Sequence, residues 1–198
     1  MGEDSGWLAL GSGITGGADV ILIPEIPYHV DKVAAAIQDR SSKGKRFSLV
    51  AVSQGAISEE DNRFFNKAHQ VNKYLRGGKE EFNEVENQLV EIEDDFTGKS
   101  IDLAQRLSQA TNIETRITIL GFLQRGGSPT PTDRMLATML GTMSARFAAD
   151  GQWGVMTASV ASKAVPLPLE EVAGKTKLVP LDHPWIKAAR TVGTNLGD

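Results

Sequence analysis

The chain has 198 residues, the size of one ordinary domain or of one domain with part of another. Apolar content of 40% and charged content of 23% suit a globular chain, and a formal net charge of −4 leaves no basic footprint for nucleic acid. There is no cysteine, which removes disulfides, thiolate metal sites and cysteine nucleophiles together. No window reaches the ~18 apolar residues of a membrane span, and MGEDSGWLAL lacks the make-up of a signal peptide, so the expected setting is the cytoplasm.

The first pattern in chain order is GSGITG at residues 11–16, which spells G-x-G-x-x-G. Dinucleotide binding by that pattern needs a strand before it and a helix directly after it. The next predicted element is instead a strand, so the segment reads as small residues used for packing. That strand, ADVILIPE at residues 18–25, is a continuous apolar run closed by Pro24 and ending in the carboxylate of Glu25. Residues 29–43 place Val33, Ala34 and Ile37 at helical spacing, with Gly44 as the stop, and FSLVAV at residues 47–52 is a second buried strand. Strand, helix and strand in this order predict a right-handed crossover of an α/β fold with a parallel sheet.

The stretch 57–98 is highly charged and reads as surface helices and loops inserted on that core. Residues 100–110 predict a helix and residues 115–123 a third strand. That strand runs into GFLQRGGSPTPTDR, where Arg125 and the pair Gly126–Gly127 precede a helix opened by Pro131 and reaching about Ala149. Residues 155–160 are strand-like, and residues 186–192 predict a short terminal helix with Asp182 as its capping residue. Gly174-Lys175-Thr176 has the look of a P-loop ending, but Leu169 stands where that loop requires glycine, and the reading is rejected.

Chemical groups collect at predicted strand ends, where open α/β sheets place ligands: Glu25 after the first strand and Arg125 after the third. The glycine pair lets backbone N–H groups approach an anion. Arg116 begins the third strand, so a straight strand at ~3.3 Å per residue puts the two arginines roughly 25–30 Å apart, too far to share one phosphate within one chain. Plainer roles stand beside these: Glu25 as a helix cap, and Arg125 as a partner of Asp133 across the turn.

GGADVILIPE, the LGxxQRGGSPxxxDR run and the ending PLEEVAGKTKLVPLDHPWIKAARTVGTNLGD resemble the C-terminal half of 6-phosphofructokinases, in the bacterial branch with ATP- and pyrophosphate-dependent members. The resemblance implies a three-layer α/β domain representing half of the family fold. Residues 1–128 would be the sugar-phosphate-binding domain, with the insertion at about 57–98. Residues 129–198 would be the elements that pack on the nucleotide-binding half. Enzymes of this family phosphorylate the 1-hydroxyl of fructose 6-phosphate with Mg2+ and ATP or pyrophosphate, and work as homo-oligomers in glycolysis. By the resemblance, Glu25 accepts from sugar hydroxyls, Arg125 holds the 6-phosphate, and Arg116 reaches the 6-phosphate of an adjacent subunit. Arginine suits such posts because its planar fork binds phosphate bidentately. Met1 and Gly2 resemble the start of a sugar-lining M-G-R segment. Asp19 with Lys43, Lys45 and Arg46 falls where some bacterial members build an allosteric nucleotide site, although a solvated loop and a strand-start aspartate is the preferred reading there.

Three departures qualify the resemblance. Glu3 stands at the arginine of M-G-R, and a like charge ~4 Å from a phosphate costs several kcal/mol at an effective dielectric near 20. Phe122 replaces a histidine that bonds the sugar phosphate, which removes about 1.5–3 kcal/mol of hydrogen bonding to a charged group. The triphosphate loops, the magnesium-binding acid and the T-I-D-x-D general base belong to the half that the resemblance does not reach. No cofactor is therefore expected on this chain alone, and the partners expected are fructose 6-phosphate and the other half or full-length subunits. A non-catalytic sugar-phosphate-binding or subunit-association protein, or an inactive fragment, is the alternative.

Overall fold

The structure, a computed structural model, describes residues 4–63 and 96–198. Most of the predicted charged insertion, together with Met1, Gly2 and Glu3, lies outside the described residues. Two compact units are present, Met1–Ile119 with Leu178–Asp198, and Leu120–Lys177.

The first unit is built on the predicted crossover. Strand β1 (Val20–Leu22) pairs in parallel with β2 (Val50–Val52), Val20 opposite Val50 and Leu22 opposite Val52. Helix α2 (Val30–Ser42) connects them and buries Val33, Ala34 and Ile37. It ends before Gly44, whose φ of +80° favours glycine. The other edge of β1 is taken by the far end of the chain: Ile21 N–H donates to the Asn195 carbonyl at 2.9 Å, and Asn195 N–H to the Asp19 carbonyl at 2.9 Å.

Both faces of this strand are covered. Ile21 and Ile23 join Leu10, Val179, Ile186 and Leu196 in one buried cluster, which receives helices α1 (Trp7–Gly16) and, from the C-terminal segment, Pro184–Thr191. Val20 and Leu22 join Val33, Ile37, Leu103 and Leu107 in the other, with α2 and α3 (Phe96–Thr111). The G-x-G-x-x-G pattern lies within α1 and serves packing, as read from the sequence: a Cβ at Gly13 would come within 2.7 Å of the Ile21 side chain.

Residues 115–123 do not form a strand. Residues 112–120 join no ladder and Gly121–Arg125 form a 3-10 helix. A strand needs a hydrogen-bonding neighbour, and among the described residues none is offered; Ile119 and Leu120 are 60% and 50% exposed. The separation of Arg116 from Arg125 along a straight strand therefore has no strand to rest on. The cap of Pro184–Thr191 is His183, not Asp182: its Nδ1 accepts from Trp185 N–H at 3.3 Å.

The second unit holds α4 (Pro131–Ala149), as expected from Pro131, and an antiparallel pair of strands, β3 (Val155–Val160) and β4 (Lys163–Pro168). The partner of β3 escaped sequence reading because Pro166 and Pro168 demote that run, and proline is tolerated in strands chiefly at edges. Ser144 of α4 and Thr157 of β3 share a hydroxyl hydrogen bond at 2.7 Å. Among the described residues no helix is long and apolar enough to cross a membrane.

The β3–β4 turn places Ala161 and Ser162 at φ of +49° and +64°, left-handed positions that favour asparagine and glycine. Replacing them by Asn-Gly is expected to stabilise the second unit by about 1 kcal/mol in denaturant unfolding. An unchanged or lowered midpoint would contradict this assignment. In the first unit, burial, reinforced by Asp61, raises the Tyr28 hydroxyl to about 12. A raised folded value means stability is fully present below the unfolded value near 10 and is lost as pH climbs toward 12. Raising the pH through this window should thus remove about 3 kcal/mol of stability through this group, and Tyr28→Phe should flatten the dependence.

Candidate functional site

Glu25 lies three residues beyond β1 and is half-buried. Its carboxylate accepts three backbone contacts: Gly6 N–H to Oε1 at 3.0 Å and to Oε2 at 3.1 Å, and Val179 N–H to Oε1 at 2.8 Å. It caps no following helix, since α2 starts after His29 without a side-chain cap. Gly6 makes the approach possible, because a Cβ there would lie 2.4 Å from Ile23 Cβ and 2.8 Å from Glu25 Oε2. Neither Gly6 nor Val179 stood out in the sequence. Val179 is 154 residues from Glu25, and nothing local marks a pairing at that range.

In the second unit, the Gly121–Arg125 turn closes with Gly126 N–H donating to the Leu123 carbonyl at 3.0 Å. That N–H is thereby engaged within the turn. Gly127 has φ of +92°, a conformation suited to glycine, and redirects the chain toward Pro129. Phe122 is 83% exposed, and the Arg125 guanidinium lies 5.4 Å from its ring centroid, a cation–π contact. The aromatic ring at this position thus supports the arginine that follows it.

The loop leads into α4 through a capping box. Thr130 Oγ1 accepts from Asp133 N–H at 3.3 Å, and the Asp133 carboxylate accepts from Thr130 N–H at 2.9 Å and from its hydroxyl at 2.7 Å. The Thr130 hydroxyl, followed by its backbone N–H, holds the Asp133 carboxyl below its ordinary value.

Arg116, in the first unit, pairs with Glu114 at 3.0 Å, both side chains strongly exposed. Such a pair is worth at most about 1 kcal/mol. Asp19 is bound on both oxygens, Oδ1 by Arg40 at 2.9 Å and Oδ2 by Leu49 N–H at 2.9 Å. Lys43 pairs with Asp39 one helical turn earlier, while Lys45 and Arg46 are exposed. The structure brings Asp19 to Arg40, a residue that sequence reading passed over, although its place in the last turn of α2 was the available signal. Among the described residues no group of three His, Cys, Asp or Glu side chains could hold a metal ion. The carboxylate at the β1 end already accepts backbone N–H groups. Among the described residues no cluster therefore offers magnesium a site built from protein side chains alone.

The family model described as Phosphofructokinase matches residues 1–148. Over 198 residues the chain is 48% identical to an ATP-dependent 6-phosphofructokinase of Propionibacterium freudenreichii and 43% identical to one of Spirochaeta thermophila. All of this chain is covered in both, against 53% and 49% of the relatives' own lengths. A crystal structure of a pyrophosphate-dependent phosphofructokinase from Marinobacter aquaeolei superposes with a TM-score of 0.64 at 20% identity, covering 99% of this chain and 43% of that one. The chain belongs to the phosphofructokinase family. It spans about half the length of the curated relatives it matches.

The capping box carries its own test. Thr130→Ala should cost about 1 kcal/mol in unfolding of the second unit. Because the Asp133 carboxyl is lowered on folding, its contribution is present above the unfolded value of 3.8 and lost as pH falls through the lower folded value. In Thr130→Ala that acid sensitivity should shrink; an unaltered acid limb would place its origin elsewhere.

Proposed function

We propose that this chain is the fructose 6-phosphate-binding portion of a 6-phosphofructokinase, acting in phosphoryl transfer to the 1-hydroxyl. The observation that carries the reading is the 48% identity along all 198 residues to an ATP-dependent 6-phosphofructokinase. The half-length match supports a division of labour in which the phosphoryl donor and general base come from the remainder of the family fold. Such chemistry is chiefly positioning and electrostatic stabilisation, and this chain supplies part of the positioning.

Glu25 is the acceptor for sugar hydroxyls. Arg125 is the partner of the 6-phosphate, which suits an exposed guanidinium braced by Phe122 at the end of a glycine turn. Arg116 serves the 6-phosphate of an adjacent subunit in a homo-oligomer. The donor in the name of the 48% identical relative is ATP, which favours ATP over pyrophosphate in the complete reaction.

Titration calorimetry with fructose 6-phosphate tests this. The chain should release or take up heat at millimolar ligand or below, and Arg125→Ala should weaken binding about 10- to 100-fold, the loss of a charge-assisted contact. No binding by the parent would overturn the reading, and parent-like binding by Arg125→Ala would remove Arg125 from the site.

A further inference from the structure

We infer that the backbone amides of Gly6 and Val179 divide the two oxygens of Glu25 between structure and recognition, with Gly6 and Val179 as positioning residues for the hydroxyl acceptor. This rests on the reading of Glu25 as that acceptor. A carboxylate offers about four lone-pair positions. Oε1 accepts from both Gly6 N–H, at 3.0 Å, and Val179 N–H, at 2.8 Å, which fills it. Among the described residues Oε2 takes only the second branch of the Gly6 contact, at 3.1 Å, and keeps one position for a ligand hydroxyl.

Both positioning amides are held from outside the strand that leads to Glu25. Gly6 is buried against Ile23, and its missing side chain is what admits its N–H to the carboxylate. Val179 is 2% exposed and opens the C-terminal segment. That segment is fastened to the sheet by Asn195 and to the core by Ile186 and Ala189. The last stretch of the chain thus reaches back to aim a carboxylate 154 residues earlier. One oxygen with one open position accepts one hydroxyl in one direction, a restriction that a freely rotating glutamate at a strand end would not impose.

The test pairs amide hydrogen exchange on the 198-residue chain with calorimetry using fructose 6-phosphate and inorganic phosphate. In Glu25→Ala the Gly6 and Val179 amides should exchange at least tenfold faster than in the parent. Glu25→Gln retains a carbonyl oxygen for the amides but presents NH2 in place of Oε2. It should keep Val179 protected, lose at least tenfold in fructose 6-phosphate affinity, and leave inorganic phosphate binding no weaker. General damage to the fold would lower both ligands together. Equal exchange in parent and Glu25→Ala overturns the clamp alone, and full sugar-phosphate affinity in Glu25→Gln overturns the recognition role of Oε2. A parent that ignores fructose 6-phosphate while its amides still depend on Glu25 overturns the functional reading and the recognition half, and leaves the clamp standing as architecture.

Discussion

Four successive side chains, Val20, Ile21, Leu22 and Ile23, are withdrawn from water completely, and a strand buried on both faces has to be covered twice. Alternation along the strand sends Ile21 and Ile23 to one side and Val20 and Leu22 to the other. Each such burial contributes about 1.5–3 kcal/mol, so neither face can be left open. The two helical layers of the first unit are the answer, and the edges of the strand impose the same demand on the backbone. Val50–Val52 satisfies one edge, and Asn195 is drawn in from the far end of the chain for the other.

The candidate site inherits its geometry from that arrangement. Once the C-terminal segment is zipped to β1, Val179 comes within hydrogen-bonding reach of the carboxylate past the strand end. Once α1 packs on the same face, the Gly6 N–H reaches that carboxylate as well. The small residues of α1 matter because helix and strand pack with almost no space between them, as the Gly13 to Ile21 approach shows. Packing and site therefore share one cause: the need to close both sides of a single apolar strand.

The second unit is organised differently. Its loop at residues 121–133 is held by contacts among residues close in sequence: the Leu123 carbonyl to Gly126, the Phe122 ring under Arg125, and the reciprocal bonds of Thr130 and Asp133. Local contacts of this kind preserve a turn without a deep core. That fits a loop whose phenylalanine and arginine are both exposed.

Local order was legible in the sequence. The apolar run ending at Glu25, the 3.6-residue spacing of Val33, Ala34 and Ile37, Pro131 at a helix start and the glycine-arginine turn each state their conformation within a few residues, and the long motifs carried the family. Tertiary structure alone decided what depended on a distant partner. Residues 115–123 have strand composition yet join no ladder, because a strand is completed by its neighbour and not by its own side chains. The Arg40 partner of Asp19, and the Gly6 and Val179 partners of Glu25, were equally hidden. A carboxylate is written in the sequence as a residue type, but its hydrogen-bond donors are set by which backbones the buried strand gathers around it.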